Sequence, residues 1–207
     1  ARQALEQLLH EEIPEAEEKE VTRNQEEYAL EHRISLNDQR TSDVVSALKG
    51  AGAKRVLDLG CGDGKLLKAL LAEREFTEIV GLDVSFRALE TAKDRLNWER
   101  LPEMQRKRIG LLHGSLVYRD KRLSGFDAAT VIEVIEHLDA ARLSAFERVL
   151  FEFARPATAV ITTPNAEFNV KFESLPAGRF RHKDHRFEWT RAEFQSWATS
   201  IGVRFGY

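Results

Sequence analysis

Glu133, Glu136 and His137 set two carboxylates and an imidazole at spacing i, i+3, i+4. On a helical turn all three share one face. Crowded there, the carboxylates repel each other, and a divalent cation resolves the repulsion. Oxygen and nitrogen donors without a thiolate favour magnesium, manganese or a related ion over structural zinc. Three ligands from one turn leave coordination positions open. A later stretch, Arg181-His182-Lys183-Asp184-His185-Arg186-Phe187-Glu188-Trp189, holds further donors. The same acids also read as favourable charge in the first turn of a helix, and a lone His182 or His185 as a surface histidine. Spacing alone therefore leaves the metal open.

A second constellation precedes it: Asp58-Leu59-Gly60-Cys61-Gly62-Asp63-Gly64, after a short apolar run. Glycines permit a tight turn and let a ligand approach the backbone. The dinucleotide fingerprint is G-x-G-x-x-G, which sets a pyrophosphate on a helix amino terminus. Here the spacing is G-x-G-x-G, with an acid at Asp58 and at Asp63. Those charges repel a pyrophosphate but suit a cofactor with an amino-acid end and a sulfonium, which favours S-adenosylmethionine over NAD. Nineteen residues after Gly64 comes Asp83, placed to accept hydrogen bonds from the ribose hydroxyls of a bound adenosine. Cys61 reads as a small residue that fits the loop.

The elements that must position these groups alternate. Asn37 or Thr41 caps a helix that buries Val44, Val45 and Leu48 and ends at Gly50 and Gly52. Strands are expected at 55–59, 78–82, 108–113, 126–132 and 157–162, and helices at 65–74, from Ser85 to Leu96, at 139–154, and from a Thr190 cap to about Ser200. Apolar strands alternating with helices imply an α/β fold, a doubly wound, mostly parallel sheet covered on both faces. Ligands bind at the carboxyl ends of such strands, and both constellations fall there. Residues 1–33 read as a polar helical lead-in and 34–207 as the domain. The start at Ala1 and the strand-like close, Val203 to Tyr207, suggest a piece of something longer, its final strands truncated.

Composition narrows the class. The chain has 207 residues, 43% hydrophobic and 31% charged, enough for one domain with a core of its own. No apolar run approaches the roughly 20 residues of a membrane helix, so no membrane partner is expected. A single cysteine excludes an internal disulfide and fits a reducing compartment, with the cytoplasm as the expectation. Residues 6–31 carry ten acids and two bases against a chain net charge of −3, so the body is mildly basic. That agrees with a nucleic-acid ligand and equally with solvated helix faces.

The glycine turn with its following acid resembles the class I methyltransferase family. The resemblance implies Asp58 near the cofactor's amino end, Gly60 and Gly62 beneath it, Asp83 on its ribose, and Ser115 and Leu116 beside the adenine. Three further blocks are more specific. Glu133-Val134-Ile135-Glu136-His137, then Thr163-Pro164-Asn165-Ala166-Glu167-Phe168-Asn169, then Asp184-His185-Arg186-Phe187-Glu188-Trp189-Thr190-Arg191, in that order, resemble the Hua enhancer family. Those are small-RNA 2′-O-methyltransferases acting on the 3′-terminal nucleotide. The likeness runs from about Leu36 to the end. It implies Glu133, Glu136, His137 and His185 as metal ligands, with His182 beside the reacting hydroxyl. His185 is preferred to His182 because it sits in the family's block. In bacteria the resemblance implies a methyltransferase region working with a polynucleotide kinase-phosphatase partner in RNA repair.

On that reading the ion, manganese or magnesium, holds the 2′ and 3′ oxygens of an RNA end with both hydroxyls free and lowers the pKa of the 2′ hydroxyl. His182 or solvent takes the proton, and activity falls toward about pH 6.5, where free histidine charges. Lys171, Arg179, Arg181, Lys183, Arg186 and Arg191 can meet phosphates. Phe168, Phe180 and Trp189 offer faces to bases, although core packing competes for Trp189 and Phe194. Thr163, Pro164 and Asn165 fall on the substrate side, and Arg40, in Leu36-Asn37-Asp38-Gln39-Arg40, can touch substrate or cofactor. Two other readings share the cofactor half: a metal-independent small-molecule methyltransferase, and a non-catalytic RNA-binding module. Activity that survives a chelator would mark the first, and function that survives Glu133→Ala the second.

Overall fold

The computed structural model describes residues 36–172, 175–176 and 178–207. The lead-in expected at 1–33 lies outside the described residues. Five strands form one parallel sheet: β1 (Arg55–Leu59), β2 (Glu78–Asp83), β3 (Ile109–His113), β4 (Ala128–Ile132) and β5 (Thr158–Thr162), in the order β3-β2-β1-β4-β5. The chain builds outward from β1 to β3, then crosses to the other side of β1 for β4. The order therefore reverses between β1 and β4, where a crevice opens at the carboxyl ends.

Period-2 alternation feeds two separate cores, one on each sheet face. Val56, Ile79 and Ala128 point to one face, against Leu67 and Leu70 of α2 (Lys65–Ala72), Leu89 and Leu96 of α3 (Phe86–Leu96), and Val44 and Leu48 of α1 (Leu36–Gly50). Leu57, Leu59, Ala129 and Val131 point to the other. There they meet Phe146 of α4 (Ala140–Glu147), Leu150 of the wider π-helical stretch that continues it (Arg148–Ala154), and Ile201 of α5 (Arg191–Phe205). The doubly wound expectation holds.

Local chemistry sets the helix ends. The Ser85 hydroxyl accepts from Ala88 N at 3.2 Å, and Asp139 accepts from Arg142 N at 2.9 Å. Thr190 and Glu193 form a reciprocal capping box at α5. Two expectations fail. Asn37 and Thr41 do not cap α1 but lie inside it, where Thr41 Oγ1 donates back to the Asn37 carbonyl at 2.9 Å. Val203 to Phe205 is not the start of a strand. It completes α5, because Phe194, Trp197, Ile201 and Phe205 recur at helical spacing against the second core and Phe205 stacks on Phe151. Gly206 closes the helix in the left-handed conformation, at φ 74°.

Candidate active site

The β1 turn supplies the cofactor half. Gly60, Gly62 and Gly64 all have positive φ, at 77°, 50° and 76°, where a side chain is strained. At Gly62 a methyl group would meet nothing within 4 Å, so the glycine leaves an open cradle. At Gly60 a methyl would approach Val134 Cγ2 to 2.6 Å. The turn after β1 thus lies directly against the turn after β4, and the two halves of the site adjoin.

Asp58 is buried, 2% exposed, and its Oδ1 accepts from Thr130 Oγ1 at 2.8 Å. Burial pushes its carboxyl up to about 7; the Thr130 hydrogen bond opposes this and the Asp83 charge adds to it. A cation brought to this carboxylate regains what burial costs it. Asp83 Oδ2 accepts from Gly62 N and Oδ1 from Ser85 N, both at 2.8 Å, which fixes the carboxylate at the end of β2 beside the glycine turn. Asp63 behaves differently from the sequence argument. It is paired with Arg95, so the charge that disfavours a pyrophosphate comes from Asp58 and Asp83. The Ser115 hydroxyl accepts from Val117 N at 3.4 Å, and Leu116 packs on the second core. Burial pushes the Cys61 thiol above its ordinary range, which makes it inert.

The turn after β4, the candidate metal half, is assembled otherwise than a helical turn would do it. Glu133 is left-handed, at φ 54°, and Val134 has φ −128°; a 3₁₀ turn follows at Ile135–His137. A non-glycine residue there costs about 1–2 kcal/mol. The cost is offset by the ladder, in which Glu133 N donates to Thr162 O at 3.1 Å, and by the Thr162 hydroxyl, which donates to Glu133 Oε1 at 2.9 Å. Arg40 of α1 reaches Glu133 Oε2 at 3.1 Å. Glu136 is fully buried. Its Oε2 accepts from Thr163 Oγ1 at 3.0 Å, and its Oε1 has no hydrogen-bond partner among the described residues. Burial first, then the Glu133 charge, raises the Glu136 pKa.

The 181–189 loop folds onto this turn. Arg186 N donates to the Glu136 carbonyl at 2.7 Å. One imidazole nitrogen from each of His137, His182 and His185 lies within 4.8 Å of the other two. The His137 ring centroid is 4.9 Å from that of His185 and 5.7 Å from that of His182. His182 is therefore part of the cluster rather than set apart. Three imidazoles near a buried carboxylate whose Oε1 has no hydrogen-bond partner among the described residues fit a divalent cation.

Glu188 is the residue that sequence reasoning missed. Its Oε1 accepts from His185 Nδ1 at 2.7 Å and from Arg181 N at 2.6 Å, and its Oε2 from Asn169 Nδ2 at 2.6 Å. Burial raises its pKa, but the bonds from His185, Asn169 and Arg181 outweigh that and hold it below the ordinary value. Its i+3 spacing from His185 was the available signal. Thr130 was legible only through register, opposite Asp58 in the β1–β4 pair.

The expected substrate residues divide. Arg186 is exposed, as is Lys183. Arg181 instead ties the loop together, donating to Asn169 Oδ1 at 2.7 Å and Asn165 O at 2.6 Å and lying over the Phe172 ring. Asn165 caps the 3₁₀ turn Ala166–Lys171, and Pro164 is buried. Phe168 and Phe180 are 37% and 44% exposed. Trp189 is half-buried: it stacks on Phe187 at 4.2 Å and packs near Trp197 and the second core.

A parallel α/β sheet, a glycine cradle at its switch point and an acid at the next strand end define a methyltransferase domain of the class I type. The methyltransferase-domain family model matches residues 17–204. The crystal structure of the methyltransferase domain of bacterial-CtHen1-CN is 59% identical, with a TM-score of 0.76 over 83% of this chain and 86% of that one. The chain belongs to the Hen1 methyltransferase-domain family. The crystal structure of small RNA methyltransferase HEN1 is 32% identical, with a TM-score of 0.74 over 82% of this chain and 22% of that one. The Small RNA 2′-O-methyltransferase of Rattus norvegicus is 42% identical over 186 residues, 87% of this chain and 46% of the relative. The chain thus spans about half the length of that curated relative. None of the described helices is long and apolar enough to cross a membrane.

Proposed function

We propose that this chain transfers a methyl group from S-adenosylmethionine to the 2′ oxygen of the 3′-terminal ribose of an RNA, at a site that also holds manganese or magnesium. The observation that carries the reading is the contact between the two turns. The glycine cradle after β1 touches Val134, the residue next to Glu133, so a methyl donor in one half faces whatever the other half holds. The names of the relatives from rat and of the HEN1 structure support RNA as the substrate.

Asp58 binds the cofactor's ammonium, Gly60 and Gly62 admit its amino-acid end, Asp83 takes its ribose hydroxyls, and Ser115 and Leu116 flank the adenine. Glu133, Glu136, His137 and His185 are the proposed ligands of the divalent ion. When bound, such an ion lowers the pKa of a coordinated hydroxyl and orients a pair of neighbouring oxygens. Thr162 and Thr163 hold the two carboxylates in place. Arg40 balances Glu133 at the rim. Holding both reactants in one crevice makes the transfer effectively unimolecular. Arg186 and Lys183 offer charge to phosphates, Phe168 and Phe180 offer faces to unstacked bases, and the Thr163-Pro164-Asn165 segment and Arg181 shape the rim they sit on. The setting we propose is cytoplasmic RNA repair alongside a polynucleotide kinase-phosphatase partner.

The test is transfer of labelled methyl to a short RNA ending in 2′,3′-hydroxyls, against matched 2′-deoxy and 3′-deoxy ends, with and without manganese. The reading expects transfer to the diol end alone and only with the metal. Equal transfer to the 3′-deoxy end refutes the role of the paired hydroxyls, and full activity after chelation supports a metal-independent methyltransferase.

A further inference from the structure

The amino-acid end of a methyl donor carries an ammonium and a carboxylate, and Asp58 accounts only for the first. The carboxylate must settle where Asp58 and Asp83 already crowd negative charge, enough for the Asp83 charge to raise the Asp58 pKa. It needs a cation of its own. The helix α1 supplies one. Its last turn leads into the start of β1, so its first turn lies at the carboxyl ends of the strands.

Two ion pairs fix where that first turn sits. Lys65, which follows Gly64 and opens α2, has its Nζ 2.9 Å from Asp38 Oδ1. Arg40 Nη2 lies 3.1 Å from Glu133 Oε2, and Val134, next to Glu133, is the residue that a methyl on Gly60 would meet. Asp38 and Arg40, two residues apart, thus reach the two turns that enclose the cradle. The side chains of Arg40 and Glu133 are 16% and 17% exposed, so the guanidinium is largely withdrawn from water, where its charge acts more strongly. The strand order gives the direction of the ligand. Asp83 ends β2, and Ser115 and Leu116 follow β3, on one side of β1, whereas Glu133 follows β4 on the other. A donor with its adenosine toward β3 carries its amino-acid end toward β4, the side on which Arg40 stands.

We propose that Arg40 binds the carboxylate of the methyl donor's amino-acid end, across from Asp58, while it keeps its pair with Glu133. The proposal rests on the methyl-donor reading above and goes beyond it by assigning Arg40 to the cofactor rather than to an RNA phosphate. A planar guanidinium presents its donors as a fixed fork that matches a carboxylate. Asp58 and Arg40 then read the two charges of the amino-acid end with opposite charges. Arg40 favours a donor with that end complete over adenosine thioethers that lack it. Because the same guanidinium touches Glu133, it also joins the cofactor crevice to the turn after β4.

Calorimetric titration of the whole chain with S-adenosylhomocysteine, its carboxamide analogue and 5′-methylthioadenosine tests this. R40Q is expected to bind S-adenosylhomocysteine about 10- to 100-fold more weakly. It should bind methylthioadenosine, which has no amino-acid end, as wild type does, which also shows that the variant is folded. Exchange of carboxylate for carboxamide should cost wild type as much as R40Q loses with S-adenosylhomocysteine, and cost R40Q little more. R40K keeps the charge without the fork and should fall between. D38N removes the pair to Lys65 and should leave affinity close to wild type. R40Q affinity for S-adenosylhomocysteine equal to wild type overturns the proposal; weaker binding of a short RNA or of manganese by that variant would then mark Arg40 as a phosphate contact or only a counter-ion to Glu133. A D38N loss as large as that of R40Q overturns it too, by tracing the effect to the docking of α1. A wild-type chain that binds neither S-adenosylhomocysteine nor methylthioadenosine removes the methyl-donor reading itself, and the Arg40 assignment with it.

Discussion

Replacing Thr130 with valine keeps the shape of a fully buried side chain and removes one hydrogen bond, the 2.8 Å donation to Asp58 Oδ1. Hydrogen bonds to charged groups contribute about 1.5–3 kcal/mol. This bond favours the ionised carboxylate, so its loss raises the pKa of Asp58, already about 7 through burial, by about 1 to 2 at 1.36 kcal/mol per pKa unit. If the cofactor's ammonium needs the ionised form, apparent affinity scales with the ionised fraction. In the wild-type chain most of Asp58 is ionised at pH 7.5. In T130V between roughly a quarter and a thirtieth is, so affinity for S-adenosylhomocysteine falls by about 3- to 25-fold there. The sign follows from the direction of the shift. Affinity in both proteins rises with pH through the pKa of Asp58, and the variant's curve is displaced to higher pH and recovers near pH 9 to 10. Calorimetric titration from pH 6 to 10 measures this. Identical pH profiles for the two proteins would refute the Thr130–Asp58 argument, and a uniform loss at every pH would show that the substitution merely distorts the site.

Other outcomes follow from the same geometry. Glu136→Gln removes the buried member of a carboxylate pair, whose burial and repulsion by the half-buried Glu133 raise its pKa; the metal-free variant should melt no lower than wild type in calorimetry, while its manganese affinity falls at least tenfold. Phe146→Ala empties a fully buried position in the second core and should cost about 3–5 kcal/mol in urea unfolding. Gly62→Ala meets no neighbouring atom within 4 Å but must adopt φ 50° and fills the cradle; cofactor affinity should drop by more than stability does, as seen by comparing ligand titration with thermal melting of the free chain.

Much of the architecture was legible because its signals are local. Runs such as Arg55–Leu59 and Ala128–Ile132 are apolar on both faces, as a covered parallel strand must be, and glycines with an acid beyond them mark the switch-point turn. The errors arose where tertiary contacts overrode local pattern. Val203 and Phe205 favour strands by type, but the packing of Phe205 on Phe151 and the second core holds the segment in α5, with Val203 left exposed. Thr41 has the side chain of a cap and uses it inside the helix. The expected ligand turn at Glu133, Glu136 and His137 lies on another backbone than a helical one, and the imidazoles that the fold gathers are those of His137, His182 and His185. A left-handed Glu133 was invisible, because glutamate is not among the residue types that favour that conformation. Arg181 shows the limit for charged residues: its type suggests phosphate, and only the folded loop reveals that Asn165 and Asn169 occupy it.

The central claim is that one divalent ion is gripped by Glu133, Glu136, His137 and His185 beside the glycine cradle. Anomalous diffraction at the manganese edge, from crystals of this chain grown with manganese and S-adenosylhomocysteine, tests it most directly. The account predicts a single strong peak at bonding distance from those four side chains. A peak elsewhere, or none in a protein that still methylates RNA ends, contradicts it.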